Sequence, residues 1–162
     1  MSESENGVDR VWALIDKIKI SMVVTHDGHG DELHARPMAA YAAREENAIY
    51  FLTDAESGKV GEIKDNSNVC IAFADTRAQD YVSVTGQATL SNDRALIKKF
   101  WTPADKVFWK DANDPAIRLL RVQPEQAEYW EGAGALVTMV KMLVAQVTSS
   151  KPSLHGNAKV AL

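Results

Sequence analysis

Cysteine is nearly absent from this chain: Cys70 is the single thiol in 162 residues. No disulfide framework can form within it, and a multi-thiolate zinc site has no ligands. Excess positive charge is missing too, since 18 Lys and Arg against 22 Asp and Glu give a formal net charge of −4. That balance argues against nucleic acid or an anionic membrane surface as the default partner. No run reaches the ~18 consecutive apolar residues of a membrane span. The opening MSESENGVDR lacks the basic-then-apolar order of a signal peptide. Internal repeats and low-complexity tracts are also lacking. What is present is an ordinary globular composition, 46% hydrophobic and 25% charged, at the length of one domain. These features predict a soluble, cytoplasmic protein with a flexible leader at residues 1–6, one domain over 7–148 and a loose tail over 149–162.

Periodicity gives the elements. Val8, Val11, Trp12 and Ile15 recur at the spacing of one helix face, with Trp12 in the core. Near Lys17 the period changes to strand alternation through Ile18, Ile20, Met22 and Val24. Two glycines in the run 26–31 mark a turn, and residues 36–43 read as a return strand. A third strand covers 48–53, and a short helix covers 60–66. Residues 69–74 are apolar on both faces, the pattern of a buried central strand with Cys70 in the core. The alternation over 81–90 is the cleanest in the chain. Asp93 caps a helix to Phe100 with Ala95, Leu96 and Phe100 on one side. Residues 117–122 and 127–130 are two strands broken at Pro124. Leu136, Met139, Val140, Leu143 and Val147 mark a C-terminal helix. Many short strands with helices at the corners predict a mainly β (α+β) fold, an antiparallel barrel.

The sharpest local feature is the run from Phe51, Leu52 and Thr53 to Ser57, Gly58 and Lys59, a strand end feeding a helix start. Unpaired N–H groups and the positive end of a helix dipole suit a phosphate. Thr53 and Ser57 can add hydroxyls, Lys59 a counter-charge, and Gly58 a close backbone approach. The Walker spacing is absent, so nucleotide hydrolysis has no support. The same segment also reads as an ordinary helix capped by Ser57 with Lys59 solvated. Arg36, Pro37 and Met38 form a second feature, in which the arginine fork suits a phosphate, an electron-rich carbonyl or a ring nitrogen. An edge-strand arginine paired with an acid explains it equally well. His26, His29 and His34 lie in or beside a glycine-rich turn and match no metal-ligand spacing, so no metal is expected and the three read as a solvated turn.

Arg36-Pro37-Met38, the strand ending Phe51-Leu52-Thr53, Ser57-x-Lys59 and Asn66-x-Asn68 occur in an order that resembles the pyridoxamine 5′-phosphate oxidase-like FMN-binding split-barrel superfamily. Within it the chain is most similar to the bacterial general stress protein branch. The run 81–88, the Lys99-Phe100-Trp101-Thr102-Pro103 run and Glu128-Tyr129-Trp130 fit as well, so the resemblance covers about residues 8–147. It implies a split β-barrel with short peripheral helices, homodimeric, with FMN at the subunit interface. FAD or a deazaflavin is the alternative cofactor, and related barrels also bind haem. Arg36, Pro37 and Met38 would then contact the ring or ribityl chain, and Phe51, Leu52 and Thr53 would line it. Ser57, Gly58 and Lys59 would hold the phosphate, while Trp101 and Trp130 would approach the partner's flavin. Authentic pyridoxamine phosphate oxidases carry an arginine- and histidine-rich C-terminal segment. Here residues 131–137 read Glu-Gly-Ala-Gly-Ala-Leu-Val, so that reaction is not expected. The resemblance implies an oxidoreductase-like flavoprotein of the stress response with no identified catalytic side chain. The alternative is a non-catalytic flavin sensor, buffer or carrier.

Overall fold

Helix α1 runs from Glu3 to Ile18 and buries Val11, Trp12, Leu14 and Ile15 against the sheet. The computed structural model describes residues 3–27, 31–133, 142 and 155–162. The expected leader is therefore helical from Glu3 onward. Lys19 ends the helix in a left-handed conformation, φ 64°. Its N–H still donates to the carbonyl of Ile15 at 3.0 Å, and its carbonyl accepts from Ala40 at 2.8 Å. This is where the change of period falls.

The strands are β1 (Ile20–His26), β2 (Leu33–Ala39), β3 (Tyr41–Ala43), β4 (Ala48–Asp54), β5 (Asn68–Asp75), β6 (Asp80–Ser91), β7 (Ile117–Gly132) and β8 (His155–Ala161). Helix α2 (Gly58–Asp65) joins β4 to β5, and α3 (Arg94–Phe100) follows β6. The sheet order is β2-β1-β5-β6-β7-β4-β3, with β8 also on β7, and every pairing is antiparallel. It curls into a split barrel, with the three α-helices of the described residues around it. No helix among the described residues is long and apolar enough to cross a membrane.

Four sequence expectations need correction. First, β7 is one strand of 16 residues and not two. Proline at 124 is absorbed by a register shift opposite Gly86, where a Cβ would stand 2.2 Å from the Gln123 carbonyl oxygen. A glycine facing a proline thus makes a bulge, not a break. Second, the tail is not loose throughout, since β8 pairs with the second half of β7 from Gln126 to Gly132. A polar strand on an edge carries little hydrophobic signal. Third, the strand buried on both faces is β4, not β5. Ile49 and Phe51 enter the main core, whereas Ala48, Tyr50 and Leu52 pack with Ile97 and Phe100 of α3. In β5, Cys70 is half-buried and Ala72 and Ala74 are exposed, because small apolar side chains have little preference for either face. Fourth, α3 buries Ile97 with Phe100 and leaves Ala95 exposed, its N-terminus capped by Asp93 accepting from Ala95 and Leu96 at 3.0 and 3.1 Å. The glycine turn at 28–30 and the expected C-terminal helix through Leu136, Met139, Val140, Leu143 and Val147 lie outside the described residues.

Trp12 is 5% exposed within the main cluster. Truncating a core tryptophan removes its buried surface and leaves a cavity. Trp12→Ala is expected to lower unfolding free energy by about 3–5 kcal/mol, measured by denaturant titration. An unchanged transition would contradict its place in the core.

Candidate functional site

A cleft of about 530 Å³ opens where the start of β1, the edge strands β2 and β3, the end of β4 and the start of α2 converge. Ile20, Pro37, Met38, Ala39 and Leu52 give it an apolar floor. One end is cationic and hydroxyl-lined. β4 ends in Thr53, 2% exposed, and the chain turns through Ser57 into α2. Lys59 Nζ donates to Thr53 Oγ1 at 2.8 Å and to Ser57 Oγ at 3.3 Å, and the two hydroxyls are 3.2 Å apart. Ser57 occupies the N-cap position of α2 but its side chain makes no capping bond. The hydroxyl faces the cradle instead, so the capped-helix alternative with a solvated lysine does not describe this segment. Burial holds the Lys59 ammonium below its usual pKa, and the nearby Arg36 charge adds to that. Among the described residues no carboxylate pairs with Lys59 within 4.0 Å. A cation held by neutral hydroxyls at a helix N-terminus is chemically suited to a phosphate.

Arg36 is fixed beside this cradle. Its Nη1 donates to Thr25 Oγ1 at 2.9 Å and to Glu62 Oε2 at 2.9 Å, and its Nη2 donates to Glu62 Oε1 at 2.8 Å. Both readings of Arg36 therefore meet here: it is an edge-strand arginine paired with an acid, and it flanks the anion cradle. Glu62, 12% exposed at its side chain, also accepts from the Thr25 hydroxyl and pairs with His34 Nδ1 at 2.7 Å. These bonds, led by that from Arg36, hold its carboxyl down at about 2. His34 is pushed above its ordinary value, chiefly by the bond to Glu62. His34 thus belongs to β2 and to this network, not to a solvated turn. The sequence alone gave no cue to that, because its partner lies 28 residues away.

The other end of the cleft is aromatic and acidic. Trp109 Nε1 donates to Asp54 Oδ2 at 3.4 Å, and Phe108, 74% exposed, leans on Trp109 with ring centroids 5.7 Å apart. These residues follow a 3₁₀ turn over Pro103–Val107 that a capping box closes. Asp105 Oδ2 accepts from the Thr102 N–H and hydroxyl at 2.7 and 2.9 Å, and the Thr-Pro-x-Asp pattern was readable in sequence. Tyr41 faces Asp105 from β3, and burial raises its phenol above the usual value.

Of the residues singled out by sequence, Pro37, Met38, Leu52, Thr53 and Lys59 line the cleft, with Ser57 bonded to two of them and Gly58 beside Arg36. Phe51 points away, into the barrel core, as strand alternation with Leu52 requires. Trp101 packs on the second cluster, its indole N–H buried with no partner among the described residues. Trp130 lies on β7 between Tyr81 and Asn157. Neither lines the cleft; Trp109 does.

The Glu62 network has a definite pH signature. A carboxyl depressed from 4.5 to about 2 stabilises the fold fully above pH 4.5, and that contribution is lost as pH falls toward 2. A histidine raised above 6.5 contributes below pH 6.5 and loses that contribution as pH rises through its folded value. Stability from this network is expected to be greatest between about pH 4.5 and 6.5. Denaturant midpoints measured against pH should show the acid limb, and Glu62→Gln should flatten it; an unaltered acid limb would refute the assignment.

The family model for pyridoxamine 5′-phosphate oxidase-like proteins matches residues 6–153. The protein bli-3 of Neurospora crassa is 31% identical over 146 residues, covering 83% of this chain and 69% of that protein. A crystal structure from Jannaschia sp. CCS1, assigned as a general stress protein 26, superposes with a TM-score of 0.79 at 18% identity, covering 98% of this chain and 99% of that one. The general stress FMN/FAD binding protein of Xanthomonas citri superposes with a TM-score of 0.65 at 24% identity, covering 76% and 87%. The matched model spans nearly the whole described barrel, cradle included, and the chain belongs to the pyridoxamine 5′-phosphate oxidase-like family.

Proposed function

We propose that the cleft binds FMN, with its phosphate on Thr53, Ser57, Gly58, Lys59 and the N-terminus of α2. The observation that carries this reading is the Lys59 ammonium, bonded among the described residues only to two hydroxyls at the start of a helix and adjoining an apolar floor. The floor of Ile20, Pro37, Met38 and Leu52 suits a flat ring system, and the Xanthomonas citri neighbour is described as binding FMN or FAD. The fit is chemical as well as geometric, since a phosphate dianion supplies the negative charge that the cradle's own side chains do not. Arg36 would orient the cofactor beside Gly58, and the Phe108–Trp109 wall would exclude water from the ring.

When bound, the flavin supplies the redox step and the protein supplies binding and electrostatics. The role proposed is that of an oxidoreductase-like flavoprotein of the stress response in the cytoplasm, accepting hydride from a small organic donor or a nicotinamide. The visible spectrum of freshly purified protein, and of the supernatant after heat denaturation, tests the cofactor. FMN identified by chromatography is expected; FAD or a deazaflavin there would change the cofactor, and a colourless protein that binds none of the three would overturn the reading. Lys59→Ala should weaken FMN affinity by about 10- to 150-fold, equivalent to about 1.5–3 kcal/mol for a charge-assisted bond, with the melting curve retained. Anaerobic bleaching by NADH or NADPH with reoxidation in air separates the enzyme from a non-catalytic carrier.

A homodimer is part of the same proposal. The outer face of β1 and β2 exposes Ile20 (58%), Met22 and Leu33 (67%), with Pro37 and Ala39 exposed between them. Met22 stands opposite Pro37 and Ile20 opposite Ala39, so this apolar surface runs directly into the cleft. An exposed patch of this kind on a soluble protein marks an interaction site, and a second copy of the chain would cover it and enclose the cofactor. Sedimentation is expected to give a dimer, and Met22→Glu a monomer that retains FMN at least tenfold less well. A wild-type monomer that holds FMN tightly would refute the shared site.

A further inference from the structure

The phosphate cradle stands on a short helix. Helix α2 has 8 residues and buries only Val60 and Ile63, and isolated helices of this length are marginal. Glu62, one turn beyond Gly58, ties it to two strands. The Glu62 carboxylate collects the hydroxyl of Thr25 from β1, the ring of His34 from β2 and two guanidinium bonds from Arg36. Thr25 is 1% exposed and closes the inner side of this junction, while His34 and Arg36 leave its outer side open to water. Through it the α2 N-terminus is fixed against the β1–β2 pair.

The same bonds set the arginine. With Nη1 on Thr25 and Glu62 and Nη2 on Glu62, the guanidinium has little freedom to rotate. Its Nη2 lies 3.7 Å from where a Cβ on Gly58 would stand, so only a missing side chain separates this edge from the mouth of the cradle. Arg36 also depresses Lys59, while Asp54 and, to a smaller extent, Glu62 act in the opposite sense on that lysine.

We infer that Glu62 is the positioning residue of the anion cradle, holding α2 and Arg36 in the one arrangement that presents Gly58, Lys59 and the guanidinium edge to a phosphate monoester. This rests on the flavin-phosphate reading and deepens it. Glu62 touches no cofactor; it acts through Arg36 and the helix. The geometry makes a selective prediction, because the affinity it controls is that of the phosphate and not that of the ring.

FMN and riboflavin differ only by the phosphate and are the two probes. Each is titrated, by flavin fluorescence, into cofactor-free wild type and into Glu62→Gln, Glu62→Asp and Thr25→Val, with melting curves run in parallel. The wild type should prefer FMN by a hundredfold or more. Glu62→Gln should lose at least tenfold in FMN affinity with riboflavin affinity kept within twofold. Glu62→Asp, which retains the charge but shortens its reach, and Thr25→Val, which removes one bond and keeps the shape, should each lose about three- to tenfold for FMN alone. These two milder variants carry the test if Glu62→Gln does not fold.

Equal losses for FMN and riboflavin would make Glu62 a merely structural residue and overturn the inference. Unchanged or tighter FMN binding would make it a bystander, or a competitor with phosphate for Arg36, and overturn it as well. A wild type that binds FMN and riboflavin equally, or binds neither, would instead bring down the flavin-phosphate reading itself.

Discussion

The pairing of β6 with β7 governs where everything else can stand. It runs from Tyr81 opposite Trp130 to Ser91 opposite Leu119, with one register shift where Gly86 meets Pro124. Before that shift β7 carries β4 on its other edge, through Ile117 to Val122; beyond it β7 carries β8. The shift leaves Glu125 as the extra residue, and its carbonyl accepts from Leu162 at 3.0 Å. The split of the barrel is thus written into one proline, which cannot donate to a ladder, and one glycine, which admits the displaced backbone. Because Thr53 is opposite Arg118 in the β4–β7 ladder, β7 also delivers the strand end that forms the cradle.

At the cradle, charge is handled in two different ways. Arg36 is fully engaged with an acid, and Lys59 is not. The Arg36–Glu62 pair, open to water on one side, fixes geometry, and desolvation offsets part of its attraction. A half-buried lysine with no carboxylate partner among the described residues does the reverse: its depressed pKa records a charge held at some cost. Placed side by side, the first gives direction and the second gives the net charge that an anion would neutralise. The acidic, aromatic end adds the opposite character, so the cleft is polarised along its length.

Much of this was legible beforehand, for identifiable reasons. Alternation over residues 81–90 and the helical spacing of Val11, Trp12 and Ile15 are local signals, and they fell where expected. Cradle residues Thr53, Ser57 and Lys59 lie within seven positions of one another, so their grouping needed no tertiary knowledge. What failed was whatever depended on a distant partner. Proline at 124 looks like a break until Gly86 is seen across from it. The double burial of β4 depends on α3, which arrives 40 residues later. Glu62 has no motif, and neither does its meeting with Thr25, His34 and Arg36. The family resemblance placed Phe51 with Leu52 along the ligand, whereas a strand sends adjacent side chains to opposite faces and Phe51 enters the core.

One consequence lies in the last two residues of β4. Thr53 accepts from Lys59 at the cationic end, and Asp54, the next residue, accepts from Trp109 at the aromatic end. A single peptide unit therefore serves as the shared wall between two compartments of unlike chemistry. The two ends share this one mounting besides their own: a substitution or strain that shifts Thr53 also shifts Asp54. Retuning one compartment by mutation would drag the other with it, so diversification of this cleft is expected to proceed through the Pro103–Val107 turn and the residues after it, which meet the shared wall only through a side chain.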